Sequence, residues 1–250
     1  ESKEARHEVR DNKVRGDVPG IDGMVICQRS GNCYCILPST RADDAELAGR
    51  LRGFVGYLNL FGEKTDVLRV QRFMKLDMTE VQDYVLMVYK NKIDIRDMED
   101  PDSTSTRIAI RSASWQDLSV ICALHSEYLA EELQLPLSVS QDDAVQKVPG
   151  LLKNQRVFLA FVGDEPVGKA NTNARGFTAS QIGGVYVRPQ FRGMGIARKM
   201  VATLVASLAE QGHRSVLFVR PDNIAATRVY RSLGFEAVGT YRAAYGGLTS

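Results

Sequence analysis

Apolar residues recur along this chain at two spacings, and the switches between them mark its elements. Met24 to Cys27 and Tyr34 to Leu37 are short β-rich runs separated by Arg29-Ser30-Gly31-Asn32, a hairpin signal. Ala42 to Phe54 takes helical spacing with acidic residues at its start, where the helix dipole favours them. Tyr57 to Phe61 then reads as a strand, Glu63 to Arg72 as a helix and Val81 to Tyr89 as a strong strand. Met98 to Ser105 is polar and breaks both periodicities, as a linker does. Beyond it come a strand at Arg107 to Arg111 and a helix opened by Ser114-Trp115-Gln116-Asp117 that runs to about Glu132. A second helix follows from Asp142 to Asn154. Val157 to Val162 and Pro166 to Asn171 flank the tight turn Gly163-Asp164-Glu165, and Ile182 to Val187 is a further strand. The chain closes with a helix from Gly195 to Glu210, a strand from Ser215 to Val219, a helix from Ile224 to Leu233 and a strand from Phe235 to about Tyr241.

The chain therefore reads as α/β (α+β) in two domains. A charged extension over 1–20 precedes a smaller α/β domain at 21–97, and a linker at 98–105 leads to a second domain at 106–250. With 44% hydrophobic and 25% charged residues over 250 positions, collagenous and disordered classes are excluded. No apolar run reaches the roughly 18 residues of a membrane span, since Thr203 and Ser207 interrupt the longest candidate. Net charge is only +2, but eight basic residues lie between Arg188 and Arg231 against Glu210 and Asp222 alone. Such a field suits a polyanionic small ligand or a nucleic acid. The basic residues lack the aromatic interleaving of a strand-binding groove, so nucleic acid is not expected as a partner.

Cysteine usage bounds the compartment. Cys33-Tyr34-Cys35 has a one-residue gap, unlike zinc knuckles, and the nearest histidine is His7, so no metal is expected. The alternating strand cysteines read as small hydrophobes, and Cys27, Cys33, Cys35 and Cys122 show no disulfide framework. With no signal peptide visible, the expectation is a cytoplasmic protein. From its start at Glu1 rather than methionine, a trimmed fragment is the expectation.

The chemically informative segment is Val185-Tyr186-Val187-Arg188-Pro189-Gln190-Phe191-Arg192-Gly193-Met194-Gly195-Ile196-Ala197. A strand ends, the chain bends, and two glycines open an amphipathic helix whose first amides have no partner within the helix. Those amides and the helix dipole favour a phosphate, with Arg192, Arg198 and Lys199 adding charge. A nucleotide P-loop needs Lys and Ser or Thr after its last glycine, where this chain has Ile196-Ala197. A dinucleotide fold fits less well, because Arg198 stands where the third glycine belongs.

The third reading is coenzyme A. Gln190-x-x-Gly193-x-Gly195-x-Ala197 after a Val-Tyr-Val strand resembles motif A of the GNAT (GCN5-related) N-acetyltransferases. Asn223 followed by a helix carrying Tyr230 and ending in Leu233-Gly234-Phe235 resembles their second signature. The resemblance implies a GNAT fold over 106–250, a mixed and mostly antiparallel sheet flanked by helices, with acetyl-CoA as co-substrate and an amine as acceptor. It implies that the turn Arg192, Gly193, Met194, Gly195, Ile196 and Ala197, with Arg198, holds the pyrophosphate. Val185, Tyr186 and Val187 would present the strand edge to the pantetheine, admitted by a splay between this strand and the one starting at Ser215. Asn223 would hydrogen-bond the pantetheine, and Tyr230 would protonate the departing thiolate. Residues 21 to about 95 resemble a degenerate GNAT-like half without a Q/R-x-x-G-x-G loop.

Many relatives carry glutamate on the strand before motif A. This chain reads Ser180-Gln181-Ile182-Gly183-Gly184 there, without a carboxylate. Other candidates lie on the first helix of the second domain: His125, Glu127, Tyr128, Glu131 and Glu132, of which Glu127 is taken as the catalytic carboxylate. Glu127 and Glu131 share one face, and Tyr128 and Glu132 share another. If the acidic face lines the cleft, the acceptor is cationic. The leading function is an acetyl-CoA-dependent N-acetyltransferase, and the alternative is an inactive acyl-CoA-binding sensor.

Overall fold

The computed structural model describes residues 24–27, 32–37, 45, 49, 57–90, 108–133 and 136–248. The expected extension at 1–20 and linker at 98–105 lie outside these, as does most of the expected helix Ala42 to Phe54. The chain groups into two units, residues 1–83 with 240–250 and residues 84–239.

In the first unit, β1 (Met24–Cys27) pairs antiparallel with β2 (Asn32–Ile36), and β2 pairs parallel with β3 (Tyr57–Glu63). Helix α1 (Lys64–Met74) buries Val67, Val70 and Met74 against Cys35, Leu37 and Leu60, the period of an amphipathic helix. It stops at Lys75, which takes a left-handed conformation with φ 52°. Cys33 is disulfide-bonded. The expectation that the alternating strand cysteines act as small hydrophobes without disulfides is therefore corrected at Cys33, while Cys35 and Cys122 are free thiols.

One ion-pair cluster in this unit sets a pH dependence. Asp83 accepts from Arg242 Nε at 2.6 Å, Arg242 Nη2 at 2.9 Å and Lys64 Nζ at 2.7 Å. The Arg242 hydrogen bond above all holds the Asp83 carboxyl down at about 2. A lowered folded-state pKa contributes stability above the unfolded value of about 3.9 and loses it as pH falls through 2. Asp83→Asn is expected to reduce stability at pH 7 by about 1–2 kcal/mol, discounted for partial exposure. It should also flatten the fall in thermal midpoint between pH 5 and pH 2. A mutant whose midpoint falls as steeply as the parent's would place the acid sensitivity elsewhere.

The second unit is built on β5 (Ile108–Ser112), β6 (Val157–Val162), β7 (Glu165–Arg175) and β8 (Ala179–Val187), paired antiparallel in sequence order. β9 (Arg214–Val219) then pairs parallel with β8 and antiparallel with the end of β4 (Leu76–Tyr89). The sheet is thus mixed and mostly antiparallel. Helices α2 (Leu118–Leu133) and α3 (Leu137–Asn154) enclose one core with Leu159 and Tyr186. Helix α4 (Ile196–Ala209) inserts Ile196, Met200, Leu204 and Leu208 into a second core with Ala170, Ile182 and Leu217. Phe235, at the start of β10 (Phe235–Leu248), and Tyr230 of α5 (Ile224–Ser232) join that core. β10 runs past the expected Tyr241 and pairs through Tyr241–Gly247 with β3, so the smaller unit receives residues from both chain ends.

The start of α2 is fixed locally. Ser114 and Asp117 form a reciprocal capping box. Arg111 donates to both Asp117 oxygens at 2.9 and 2.6 Å.

Candidate functional site

The parallel pairing of β8 with β9 is short. It covers Ala179↔Arg214 to Ile182↔Leu217 and goes no further, although β8 continues to Val187 and β9 to Val219. On its other edge β8 stays paired to β7 through Val187↔Gly168. Gly183 to Val187 therefore keep one strand neighbour and present the other edge to the gap.

A bulge makes this change of direction. Lys169 pairs with Tyr186 and Asn171 with Gly183, so two β7 steps face three β8 steps. Gly184 sits in the bulge at φ 55°, the left-handed region glycine tolerates best. A Cβ there would lie 2.2 Å from Asn171 Oδ1 and 2.8 Å from Lys169 Nζ, so only glycine fits.

After Val187 the chain makes a one-turn 3-10 segment, Pro189–Phe191, and enters the glycine loop. Gly193 and Gly195 have φ of 81° and 74°, with nothing within 4 Å of where a Cβ would stand. Gly195 is the residue before α4, and no side chain caps the helix start. The first intrahelical bond runs from Lys199 N to Gly195 O at 3.0 Å, so the amides before it lack helical partners. Ile196 is buried while Gly193, Met194, Gly195, Arg198 and Lys199 are exposed, and Ala197 is intermediate: the helix is anchored below and open at its tip.

Four charged side chains here are already engaged. Arg192 donates through Nε to Val187 O at 2.9 Å and through Nη2 to Glu131 Oε2 at 2.6 Å. Arg188 grips Glu127 with Nε and Nη2 at 3.0 and 2.9 Å. Glu127, the expected catalytic carboxylate, is thereby engaged: both its oxygens accept from a guanidinium, which holds it as an ion-pair partner. The arginines also neutralise the Glu127–Glu131 face on which a cationic acceptor was expected to dock.

The other face of α2 looks at the strands. Tyr128 lies 4.9 Å beneath Lys169 Nζ and 6.5 Å from the Tyr186 ring, centroid to centroid. Glu132, one turn on, is half-buried, and desolvation raises its pKa. Arg220, which is tied to Asp222 at 2.7 Å, opposes that shift. Tyr230 is 8% exposed, its ring 5.9 Å from Phe235. Burial first, then the nearby Tyr128 and Glu132, push its hydroxyl pKa upward. Tyr128, Glu132 and Tyr230 thus act on one another electrostatically. His125 is pushed down to about 4 by burial and by Lys169, and its Nδ1 is buried without a partner. Asn223 caps α5, its Oδ1 accepting from Ala226 N at 3.0 Å, with the carboxamide exposed.

The sequence reading missed Lys169. It is fully buried, donates to Asn171 Oδ1 and Gly184 O at 2.9 Å each, and burial lowers its pKa to about 7. Among the described residues no group of three or more His, Cys, Asp or Glu is placed to hold a metal, and no helix is long and apolar enough to cross a membrane.

A sequence profile of the Acetyltransferase (GNAT) family matches residues 119–235. An aminoglycoside N(6′)-acetyltransferase type 1 from Stenotrophomonas maltophilia is 32% identical over 117 residues, covering 42% of this chain and 76% of that protein. A mycothiol acetyltransferase from Streptomyces scabiei is 43% identical over 87 residues, but the chain spans only 28% of its length and the match 33% of this chain. A GCN5-related N-acetyltransferase from Kribbella flavida shares the fold, with TM-score 0.60 at 16% identity over 86% of this chain and 80% of that one.

Proposed function

This chain belongs to the GNAT acetyltransferase family, and we propose that it transfers an acetyl group from acetyl-CoA to a primary amine. The observation that carries the reading is the uncapped start of α4 behind Gly193 and Gly195, beside a β8 edge that has lost its neighbour. A diphosphate would accept from the amides of Gly193 to Arg198 and be favoured by the helix dipole. Reaching it requires no rearrangement of the buried core, only exchange of the Arg192 partners Val187 O and Glu131. The pantetheine amides would pair with Val187 and with the carbonyl of Val185 as an added strand, and the Asn223 carboxamide would donate to them while its oxygen caps α5.

Transfer is direct. The amine lone pair forms the C–N bond and the carbonyl π electrons move to oxygen. Their return breaks the C–S bond, and Tyr230 gives the thiolate its proton. Glu132 takes the proton that the acceptor ammonium loses to free its lone pair, and the second proton, shed by the nitrogen once the C–N bond has formed, returns to the Tyr230 oxygen. Desolvation of Glu132 supports that role, since a raised pKa brings a carboxylate closer to the working pH of a general base. The acceptor is thus a cation met by Glu132. We read residues 21–97 as a GNAT-like half that lacks the diglycine loop, supported by its hairpin, strand, helix and long strand in that order.

Thiol release from acetyl-CoA over a panel of amines tests this reading. Cationic diamines and aminosugars should be turned over. Glu132→Gln should lower kcat about 10²-fold and abolish the acidic limb of the pH profile, because only the ionised carboxylate accepts a proton. Tight acetyl-CoA binding without product from any amine would leave the acyl-CoA sensor as the function.

A further inference from the structure

Building on the acetyl-CoA reading above, we infer that Lys169 is a positioning residue that aims the Val185 amide at the thioester carbonyl oxygen. Lys169 is a fully buried amine that burial brings to titrate at about 7, held by Asn171 Oδ1 and by the carbonyl of Gly184, and neither partner is a carboxylate. A buried cation without an anionic partner lowers stability, and a hydrophobe of the same shape would serve the core better. What the cation does here is fix one peptide. The Gly184 carbonyl and the Val185 N–H belong to the same planar trans unit and point in opposite directions. With the oxygen held by Nζ at 2.9 Å, the N–H is turned away from Lys169.

Strand alternation gives the same direction. Arg188 N donates to Val167 O, so Tyr186, two residues back and paired with Lys169, turns its backbone groups to β7, and Val185 beside it turns its own to the other edge. There β9 has already separated, its last pair with β8 being Ile182↔Leu217. The Val185 N–H is therefore a fixed donor at an edge without a strand partner, in the gap the thioester would enter. In its protonated form Lys169 makes a charge-assisted hydrogen bond to the Gly184 carbonyl, which also polarises that peptide and strengthens its N–H as a donor. Gly184 completes the device, because any side chain there would displace Asn171 and Lys169 Nζ.

As the amine attacks, the thioester oxygen gains the electron pair of the C=O bond, and a preset donor matters most at that point. Lys169→Met should lower kcat about 10- to 100-fold with the best acceptor of the amine panel, while KM for acetyl-CoA changes less than about threefold. In the wild-type protein, which needs no substitution to be informative, the Val185 amide proton should move downfield on adding acetyl-CoA and stay near its starting position on adding CoA. A Lys169→Met kcat within about threefold of wild type, or a loss confined to KM, overturns the inference. So does a Val185 amide that responds alike to acetyl-CoA and CoA, should the variant fail to fold. A wild-type chain that binds no acetyl-CoA at all overturns the donor reading itself, and this inference with it.

Discussion

Gly195→Asp is expected to weaken acetyl-CoA binding about 100-fold or more while moving the thermal midpoint by only a few degrees. The loss has three sources. A carboxylate at the start of α4 would accept from the amides the diphosphate needs. It would set a negative charge against the phosphates, and its side chain would stand where the ligand backbone approaches. Hydrogen bonds to a charged group contribute about 1.5–3 kcal/mol each, so losing two accounts for the factor. Stability should change little because two effects oppose each other. Aspartate at φ 74° is strained by about 1 kcal/mol relative to glycine, but aspartate is also a favoured residue ahead of a helix that no side chain caps. Open space around the Cβ position adds no clash. Calorimetry and thermal unfolding on the same sample separate the two quantities.

Tyr230→Phe should lower kcat about 10²- to 10³-fold with acetyl-CoA affinity kept within a few-fold, the scale of losing a positioned general acid. Phenylalanine preserves the ring packing against Phe235 and removes only the hydroxyl. Burial, with Tyr128 and Glu132 nearby, raises the Tyr230 pKa, so the hydroxyl stays protonated through the working range and donates rather than accepts. The sign follows: wild-type turnover should not fall on the alkaline side through ionisation of Tyr230 near its ordinary value of about 10. A Tyr230→Phe enzyme that releases CoA at the parental rate would remove the residue from the proton path and leave it a core aromatic.

What the sequence made legible was local. The bend, the two left-handed glycines and the open helix start are written within Val185 to Ala197, because strand, turn and helix signals there follow one another without long-range help. The same holds for the Asn223 cap and the helix ending at Gly234. Glu127 was chosen by periodicity, and periodicity cannot see that Arg188, 61 residues away, closes on it. Glu132 differs from it by the side of α2 it occupies relative to β7 and β8, a tertiary fact. Lys169 reads in sequence as an ordinary polar strand residue. The available hint was that Lys169 and Asn171, two apart in a strand, fall on one face and face glycines in the next strand. β10 continues past the expected end at about Tyr241 and through Gly246 and Gly247, residues with low strand propensity. Pairing with β3, whose residues lie far back in the chain, is what keeps them extended.

Isothermal titration of the purified chain with acetyl-CoA, run beside Gly195→Asp, tests the central claim most directly. The account predicts one site per chain with an affinity that salt weakens, and a loss of about 100-fold or more in the variant. No heat of binding from the parent, or equal affinities for parent and variant, would contradict it.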